Sequence, residues 1–357
     1  MADKGAPGGD PLRVGIVGSG KIAEVHVPYI RKAGGEIVGL ADTSLERAND
    51  FADRYGIQRI YADVGELVGA ENPDIVHVLT PPHTHAEVAV EALKRGVHTI
   101  VEKPMALSSD EVIVMSDAAR SGGAMLTVDH NRLFDPVVLE ARRLVEGGDL
   151  GELVGVESFQ AGVASERSWL GELSGRGLGD LLPHPLYLQL AFLGEVTALE
   201  AFAFGGEPGG DPEELRVLMY SEARSGVLTI TMNASPRQNT LKLYGSRMTV
   251  EVNLNNMTII KRREREVPKL VGKSLPNIEE AWQLFSQTVT NTIDFISGKT
   301  RFYPGMGTLL DGFYRAVREK GVAPVGILEA AQVVAVTERI WRAVAKNEVG
   351  AELVART

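Results

Sequence analysis

Between Leu12 and about Val128, short apolar runs alternate with longer segments in which apolar residues recur every three or four positions. This alternation is typical of parallel strands joined by crossover helices. The predicted strands are Arg13–Val17, Glu36–Ala41, Asp74–Leu79, Val97–Val101 and Ala124–Val128. We therefore expect an open parallel sheet with helices on its faces in this part of the chain.

Three helices are predicted between these strands. The apolar face of the first consists of Ile22, Val25, His26, Tyr29 and Ile30. Pro28 should kink or end that helix, because proline lacks the N–H that the helical ladder needs. The other two helices are Ser44–Tyr55 and Thr84–Lys94, which Gly56 and Gly96 should end.

After about residue 130 the pattern changes to alternating apolar and polar positions. A helix near Pro136–Glu146 precedes the predicted strands Leu153–Ala161, Val196–Ala203, Leu215–Ser221, Val227–Asn233, Thr240–Tyr244, Thr249–Leu254 and Met257–Lys261. Short turns such as Ala223–Gly226 indicate a large, open, mostly antiparallel sheet. Helices near Asn277–Ile296 and Ile327–Ala345 should follow, which makes this half an α+β domain.

Length and composition agree with two folded domains. The chain has 357 residues, of which 44% are hydrophobic and 24% are charged, as in ordinary globular proteins. We place the first domain at residues 12–130 and the second at residues 131–357. Residues 1–11 are rich in Gly and Pro and lack the apolar core of a signal peptide, so we expect a disordered tail.

Charge and residue types exclude several classes of function. With 37 basic and 47 acidic residues, the formal charge of −10 opposes nucleic acid and anionic membranes as partners. The absence of cysteine excludes disulfides, thiolate metal sites and a cysteine nucleophile. No apolar run approaches the ~18–20 residues that span a bilayer. We therefore expect a cytoplasmic protein with a small-molecule ligand and no metal site.

A glycine-rich segment follows the first strand and opens the first helix. Its sequence is Gly18-Ser19-Gly20-Lys21-Ile22-Ala23, and this context is the one that a dinucleotide-binding fingerprint requires. Gly18 allows the tight turn, and Gly20 lets backbone N–H groups approach a pyrophosphate at the helix N-terminus. The pattern indicates a Rossmann domain that binds NAD or NADP, the alternative being a glycine-rich turn without a ligand.

Asp42 ends the second predicted strand, 24 residues after Gly18. A carboxylate near this offset binds the adenosine ribose hydroxyls of NAD and repels the 2′-phosphate of NADP. Arg47 could offset that repulsion, so NAD is the expected cofactor and NADP the alternative. A structural role, with Thr43 or Ser44 at the helix N-cap, is compatible with ribose binding.

Two further loops leave the carboxyl ends of predicted parallel strands. They are Thr80-Pro81-Pro82-His83-Thr84-His85 and Glu102-Lys103-Pro104. Ligands of open α/β sheets bind at that edge, so we expect both loops to border the cofactor. A helix cap or a packed imidazole is the alternative for His83 and His85. His77, inside a strand, is expected to belong to the core.

The chain resembles the glucose-fructose oxidoreductase and inositol dehydrogenase family, often called Gfo/Idh/MocA. The resemblance rests on the glycine fingerprint with Asp42, on TPPHTHAEVAVEALKRGVHTIVEKPMAL and on GLGDLLPHPLYLQLAFLG. It implies a Rossmann domain, a second domain with an open sheet, NAD or NADP binding and oligomers formed through that sheet. It also implies a catalytic group of Lys103, Asp180 and His184.

These residue types suit alcohol oxidation, which removes a hydride from carbon and a proton from oxygen. An imidazole such as His184 exchanges protons near neutral pH. Asp180 could orient it, and Lys103 could stabilise developing alkoxide character. The alternatives are a solvated surface Lys103 and structural roles for Asp180 and His184 at a helix N-terminus.

Pro183 and Pro185 flank His184, so the helix should begin near Leu182, with His184 in its first turn and Asp180 just upstream. Tyr187 stands where the family tends to have an acidic residue, and it is included among the candidate substrate contacts.

Further candidates come from the same resemblance. Asn131 aligns with a cofactor-binding segment and Arg132 with a substrate-binding one, a plain loop being the alternative. Trp169 could stack on a sugar ring or anchor the packing of its loop. The basic run Lys261–Arg265 is interpreted as a solvated strand edge, with a phosphate-bearing substrate as the alternative.

The sequence thus predicts an NAD(P)-dependent dehydrogenase or reductase that acts on a sugar, a sugar derivative or a cyclitol. Two alternatives stay open, namely a relative that cleaves glycosides with tightly held NAD and a non-catalytic relative that senses a nucleotide. The expected assembly is a homodimer or homotetramer formed through the second domain's sheet.

Overall fold

The computed structural model describes residues 10–163, 168–206, 211–299 and 302–355. In these residues the chain contains a six-stranded parallel sheet with the order β3-β2-β1-β4-β5-β6. Its strands are β1 (Leu12–Val17), β2 (Gly35–Ala41), β3 (Ile60–Tyr61), β4 (Ile75–Val78), β5 (His98–Val101) and β6 (Leu126–Val128). All four residues of β4 are buried, as expected for a strand covered on both faces. The five predicted strands are confirmed, and the two-residue β3 is an addition.

Five helices pack against this sheet in the described residues, namely α1 (Lys21–Lys32), α2 (Leu45–Tyr55), α3 (Val64–Glu71), α4 (His85–Lys94) and α5 (Ser109–Gly122). Ser44 caps α2 by accepting the backbone N–H of Arg47, and Gly56 ends it in the left-handed conformation. α1 continues through Pro28, so the proline does not end the helix. Val27 and Tyr29 on either side are buried, so packing outweighs the missing hydrogen bond.

Residues 306–335 also belong to this unit by their contacts, together with the described chain up to Asn131. They contain most of α10 (Pro304–Glu319) and the start of α11 (Ile327–Ala355). Tyr314 reaches His77 on β4, and Arg318 donates to the carbonyl oxygen of Gly34. The sequence pattern did not indicate this return of the chain.

The second unit comprises Arg132–Gly305 and the described chain from Val336 onward. Its described strands form a seven-stranded sheet with the order β13-β12-β11-β7-β10-β9-β8. They are β7 (Leu153–Ala161), β8 (Ala198–Phe204), β9 (Glu214–Tyr220), β10 (Ser225–Thr231), β11 (Gln238–Gly245), β12 (Met248–Asn253) and β13 (Thr258–Arg263). Among the described strands of this second sheet, only β7 and β10 pair in parallel. The predicted mostly antiparallel sheet is confirmed.

The helices of this unit are α6 (Pro136–Glu146), α7 (Arg176–Leu181), α8 (Pro183–Leu193) and α9 (Lys269–Ile296), with the end of α11. α8 packs on β7, β10 and β11, and nearly all of its side chains are buried. Gly226 on β10 allows this close approach, because a Cβ there would lie 2.5 Å from Gln189 Nε2. The apolar sequence of α8 therefore places it over the sheet as a core helix.

The free edge of β13 is covered by amide side chains of α9. Gln287 accepts the N–H of Ile259 and donates to its carbonyl oxygen, at 2.8 Å in each case. Gln283 makes the same pair of hydrogen bonds with Lys261. The two glutamines satisfy backbone groups that an edge strand otherwise leaves open to another chain.

Across the described residues, each helix is too short or too polar to span a lipid bilayer.

Candidate active site

The loop after β1 has the geometry of a dinucleotide fingerprint. Gly18 has a φ of +100°, and a Cβ at this position would lie 2.6 Å from the carbonyl oxygen of Leu79. A side chain is therefore excluded by the backbone after β4, the neighbouring strand. The sheet order reverses at this pair of strands, which is where ligands of open α/β sheets bind.

Gly20 is different, because its small size is not explained by protein contacts. Apart from its own chain neighbours, no described atom lies within 4 Å of a Cβ placed there. Gly20 precedes the N-terminus of α1, which no side chain of the described residues caps. Unpaired N–H groups beside open space suit an anion such as a pyrophosphate, so the residues present fit a dinucleotide.

Asp42 is tied to this loop. Its Oδ2 accepts from the backbone and the hydroxyl of Ser19, at 2.9 and 2.6 Å, and its Oδ1 accepts from the backbone of Ser44 and from Arg47. Burial acts to raise the pKa of Asp42, but the hydrogen bonds from Ser19, Ser44 and Arg47 outweigh it and lower the pKa. The side chain is thus an anion beside the fingerprint, as ribose binding requires, and Ser44 is the helix N-cap.

His85 lies between the loop after β4 and the loop after β5. The two ring nitrogens of His85 lie 2.8 Å from the carbonyl oxygens of Thr80 and Pro104. Burial lowers the pKa of this imidazole, and His85 is almost completely buried. Its geometry favours the packed-imidazole alternative, in which the single N–H of a neutral His85 is donated to one of the two carbonyl oxygens. A direct cofactor contact of His85, and those of Thr80, Pro81 and Pro82, stay predictions.

Lys103 follows β5 and is half-buried. Its backbone N–H donates to Glu102 Oε2 at 3.0 Å. Glu102 is itself buried, and its other oxygen, Oε1, lies 3.2 Å from His26 Nε2. The carboxylate beside the candidate catalytic lysine is therefore fixed by the buried side chain of His26, a role that the sequence pattern did not indicate.

His26 belongs to a buried polar cluster beneath the sheet edge, which also contains His77, Glu102, Asp129 and Tyr314. His26 Nδ1 lies 3.0 Å from His77 Nδ1, and His77 Nε2 lies 2.9 Å from the Tyr314 hydroxyl. His26 Nε2 lies 3.3 Å from Asp129 Oδ2. The expectation that His77 is a core residue is confirmed. A histidine on the apolar face of α1 was the available signal for this cluster.

The two histidines of the cluster differ in their pKa values. Burial opposes the charge of His26, but hydrogen bonds and the charges of Asp129 and Glu102 raise its pKa to about 9. Burial and the neighbouring His26 hold the pKa of His77 well below its usual range. Burial and the charge of Glu102 raise the pKa of Asp129, while His26 keeps the pKa of Glu102 low against its burial. His26 is therefore an imidazolium at neutral pH.

Ligand-type atoms of His26, Glu102 and Asp129 lie within 4.8 Å of one another, close enough to hold a metal ion. The same atoms are at hydrogen-bonding or ion-pairing distances. Each carboxylate also uses its second oxygen for a backbone N–H, from Lys103 and Asn131 respectively. We therefore interpret the group as ion pairs.

In the second unit, Asp180 is buried in α7 and His184 lies in the first turn of α8. The predicted helix start near Leu182 is confirmed, and α7 just before it is an addition. Tyr187, one turn further along, places its hydroxyl 2.8 Å from His184 Nδ1. The same oxygen accepts the backbone N–H of Arg132 at 3.2 Å. Tyr187 therefore connects two of the predicted substrate residues.

Sequence comparison identifies the family. Residues 12–130 match the family model described as oxidoreductase family, NAD-binding Rossmann fold, and residues 138–251 match the GFO/IDH/MocA C-terminal domain. Together these matches cover well over half of the chain. The chain belongs to the Gfo/Idh/MocA oxidoreductase family. Its first domain is an NAD-binding Rossmann domain, as the fingerprint and the sheet order indicated.

Among characterised members of the Gfo/Idh/MocA family, D-glucoside 3-dehydrogenase of Escherichia coli K12 is 34% identical over 152 residues. That match covers 42% of this chain and 43% of the relative, so the chain spans less than half of it. Levoglucosan dehydrogenase of Pseudarthrobacter phenanthrenivorans is 25% identical over 68% of this chain and 73% of its own length.

Solved structures of the same family share the fold. A levoglucosan dehydrogenase in complex with NADH and levoglucosan has a TM-score of 0.77 at 19% identity, over 94% of this chain and 97% of that one. The WlbA dehydrogenase from Bordetella pertussis, in complex with NADH and UDP-GlcNAcA, has the same TM-score at 19% identity. That match covers 94% of this chain and 96% of the WlbA chain.

The remaining candidates differ in their surroundings. Trp169 lies half-buried in a short 3-10 helix, Ser168–Glu172. The basic run on and after β13 is paired with carboxylates: Lys261 with Glu140, Arg262 with Glu251 and Glu280, Arg263 with Asp149, and Arg265 with Glu279. These pairs argue against a phosphate site. The strand edge itself is covered by Gln283 and Gln287 of α9 rather than solvated.

Proposed function

We propose that this protein is an NAD-dependent dehydrogenase or reductase that acts on an alcohol group of a sugar, a sugar derivative or a cyclitol. The observation that carries the proposal is the open space beside Gly20 at the N-terminus of α1, in a domain of the NAD-binding family. The relatives named as dehydrogenases of D-glucosides and levoglucosan support the substrate class. NAD is preferred because Asp42 is an anion next to the fingerprint.

We assign the chemistry to Lys103, Asp180 and His184. When bound, the nicotinamide supplies the hydride transfer. Lys103 stabilises the negative charge that develops on the substrate oxygen. His184 exchanges the hydroxyl proton, and Asp180 orients it. Asn131 is assigned to the cofactor, and Arg132 and Trp169 to the substrate.

The activity is tested by supplying NAD and a panel of glucosides, anhydrosugars and inositols to the purified protein and following NADH absorbance. We expect NADH to form with at least one of them. Lys103→Met should lower kcat by about 10²–10⁴-fold, whereas the control Lys94→Met, at the exposed end of α4, should not. Sugar release without net NADH would instead indicate the glycoside-cleaving alternative, and full turnover by Lys103→Met would refute the assignment of Lys103.

We further propose a cytoplasmic homo-oligomer formed through the seven-stranded sheet. Exposed apolar side chains line one face of this sheet, including Phe202, Leu218, Tyr220 and Val227. Leu218 lies directly opposite Val227 in the register, so these side chains are neighbours on one surface. Leu218→Lys should reduce the mass measured by light scattering to that of one chain. The control Val322→Lys, outside the sheet, should leave the mass unchanged.

A further inference from the structure

Glu102 and Asp129, the two carboxylates of the buried cluster, make the same kinds of contact. Glu102 lies between His26 Nε2 and the backbone N–H of Lys103, with one oxygen toward each, at 3.2 and 3.0 Å. Asp129 lies between His26 Nε2 and the backbone N–H of Asn131, at 3.3 and 3.1 Å. One imidazole therefore connects, through two carboxyl groups, to Lys103 and Asn131 in the loops that follow β5 and β6.

One assignment of hydrogens accounts for the contacts of His26, His77 and Tyr314 together. As an imidazolium, His26 donates from Nδ1 to His77 Nδ1 and from Nε2 to Glu102 Oε1, while Asp129 Oδ2 lies 3.3 Å from Nε2 as an ion-pair partner. His77 is then neutral, with its hydrogen on Nε2 pointing at the Tyr314 hydroxyl 2.9 Å away. The raised pKa of His26 and the lowered pKa of His77 agree with this arrangement.

An apolar side chain at position 26 would pack on the same face of α1 as its neighbours Val27 and Ile30, yet the chain has a fully buried histidine there. Burying a carboxylate without a partner is strongly unfavourable, and two adjacent anions would repel each other. The positive charge of His26 keeps Glu102 ionised and pairs with Asp129, whose pKa burial and the charge of Glu102 raise to about 7, while both still accept the loop N–H groups.

We propose that His26 is the positioning residue that fixes the loops of Lys103 and Asn131, because it joins the two carboxylates that accept their backbone N–H groups. The inference rests on the proposed function for the roles of Lys103 and Asn131. The geometry of the cluster itself does not depend on that function.

The first test is independent of activity. In His26→Leu, hydrogen exchange measured by mass spectrometry should become faster in the peptides that contain the N–H groups of Lys103 and Asn131. His26→Gln keeps one donor near the position of Nε2 and should show a smaller change. The control His98→Gln, on β5 with its partner at the N–H of Met125, should leave both peptides unchanged. Unchanged exchange in His26→Leu would overturn the proposal, as would a stoichiometric metal ion in the purified protein.

The second test uses turnover. We expect His26→Leu to lower kcat by about 10- to 100-fold, with partial recovery in His26→Gln. The ratio of wild-type kcat to His26→Leu kcat should increase as the pH rises from about 6 to about 8.5, because Glu102 and Asp129 can share a proton only at the lower pH. The other titratable groups that face the cluster are His77, His85, Lys103, His130 and Tyr314. The pKa of His77 should rise when the charge of His26 is removed, and this change is the same in His26→Leu and His26→Gln.

A loss of kcat that is the same at every pH would overturn the role of the charge. If no alcohol is oxidised even by the wild type, the proposed function fails and the exchange experiment alone decides the role of His26. If His26→Leu does not fold, both tests are made with His26→Gln and the control. The proposal would then be overturned if His26→Gln showed the same hydrogen exchange as the wild type and the same kcat at every pH.

Discussion

The hydroxyl of Tyr187 lies 2.8 Å from His184 Nδ1 and accepts the backbone N–H of Arg132 through the same oxygen. Tyr187 is nearly completely buried, so this arrangement is fixed by the core of the second unit. The phenol oxygen can accept a second hydrogen bond besides that from Arg132, so a neutral His184 can donate from Nδ1 to Tyr187. Nε2 is then the nitrogen that accepts a substrate proton.

Tyr187→Phe should therefore lower kcat by about 5- to 10-fold, the effect expected from losing one hydrogen bond that orients a catalytic group. It should also destabilise the protein, because the N–H of Arg132 loses its acceptor, at a cost of about 1–3 kcal/mol. Steady-state kinetics and thermal unfolding measure the two effects. Tyr244→Phe is the matched control, since its hydroxyl contacts Glu157 on the exposed sheet face. Equal kinetics in both variants would contradict the role of Tyr187.

The two glycines of the fingerprint should behave differently when replaced by alanine. At Gly18 the side chain would meet the carbonyl of Leu79, and the φ of +100° is unfavourable for alanine, so Gly18→Ala should destabilise the fold by about 1–3 kcal/mol or more. Gly20 has a φ of −72° and free space around it. Gly20→Ala should keep the wild-type unfolding temperature but bind NADH about tenfold or more weakly.

Calorimetry and fluorescence titration of NADH distinguish these outcomes. Unchanged NADH affinity in a folded Gly20→Ala would show that the space beside Gly20 does not hold the pyrophosphate.

Some elements of the first unit could be predicted from the sequence and others could not. Strands such as β4 are buried on both faces and read as continuous apolar runs, and the position of Gly18 after such a strand predicted the fingerprint turn. The eight-residue α3 contains two glycines, so its periodicity was too weak to predict it. The helix α5 was missed although Ser108 and Glu111 form a recognisable cap, with Ser108 accepting the N–H of Glu111.

The His26 cluster could not be predicted from local patterns. His77 and Tyr314 are separated by 237 positions along the chain, and they meet because residues 306–335 return to the first unit. Only the order of strands and helices in space determines which polar residues share a buried site. A single histidine on an apolar helix face was visible in the sequence, but its partners were not.

Cofactor preference should depend on Asp42, as predicted from its position. In the structure Asp42 also pairs with Arg47, which is largely exposed. Asp42→Ala removes the negative charge and releases this arginine, so the ratio of NADPH to NADH affinity should rise by about tenfold or more. Asp42→Ala combined with Arg47→Ala should lose most of that gain, because the cation is then absent. Titrations of both cofactors measure the ratio, and an unchanged preference in Asp42→Ala would contradict ribose recognition by this residue.

The stability of the protein should fall as the pH rises from about 7.5 to about 9. Below this range the lowered pKa values of His77 and His85 act with the opposite sign. His26 has its pKa raised from 6.5 to about 9 on folding, so between these two values the folded state binds a proton that the unfolded state has released. Its stabilising contribution is complete below pH 6.5 and is lost as the pH rises through about 9. The raised pKa of Asp129 acts with the same sign at lower pH. In Glu102→Gln, both pKa shifts should shrink because an anion that causes them is gone, and the unfolding temperature should decline less steeply with pH. A wild-type unfolding temperature that is constant or rises between about pH 7.5 and about pH 9 would show that His26 is not charged in the folded protein.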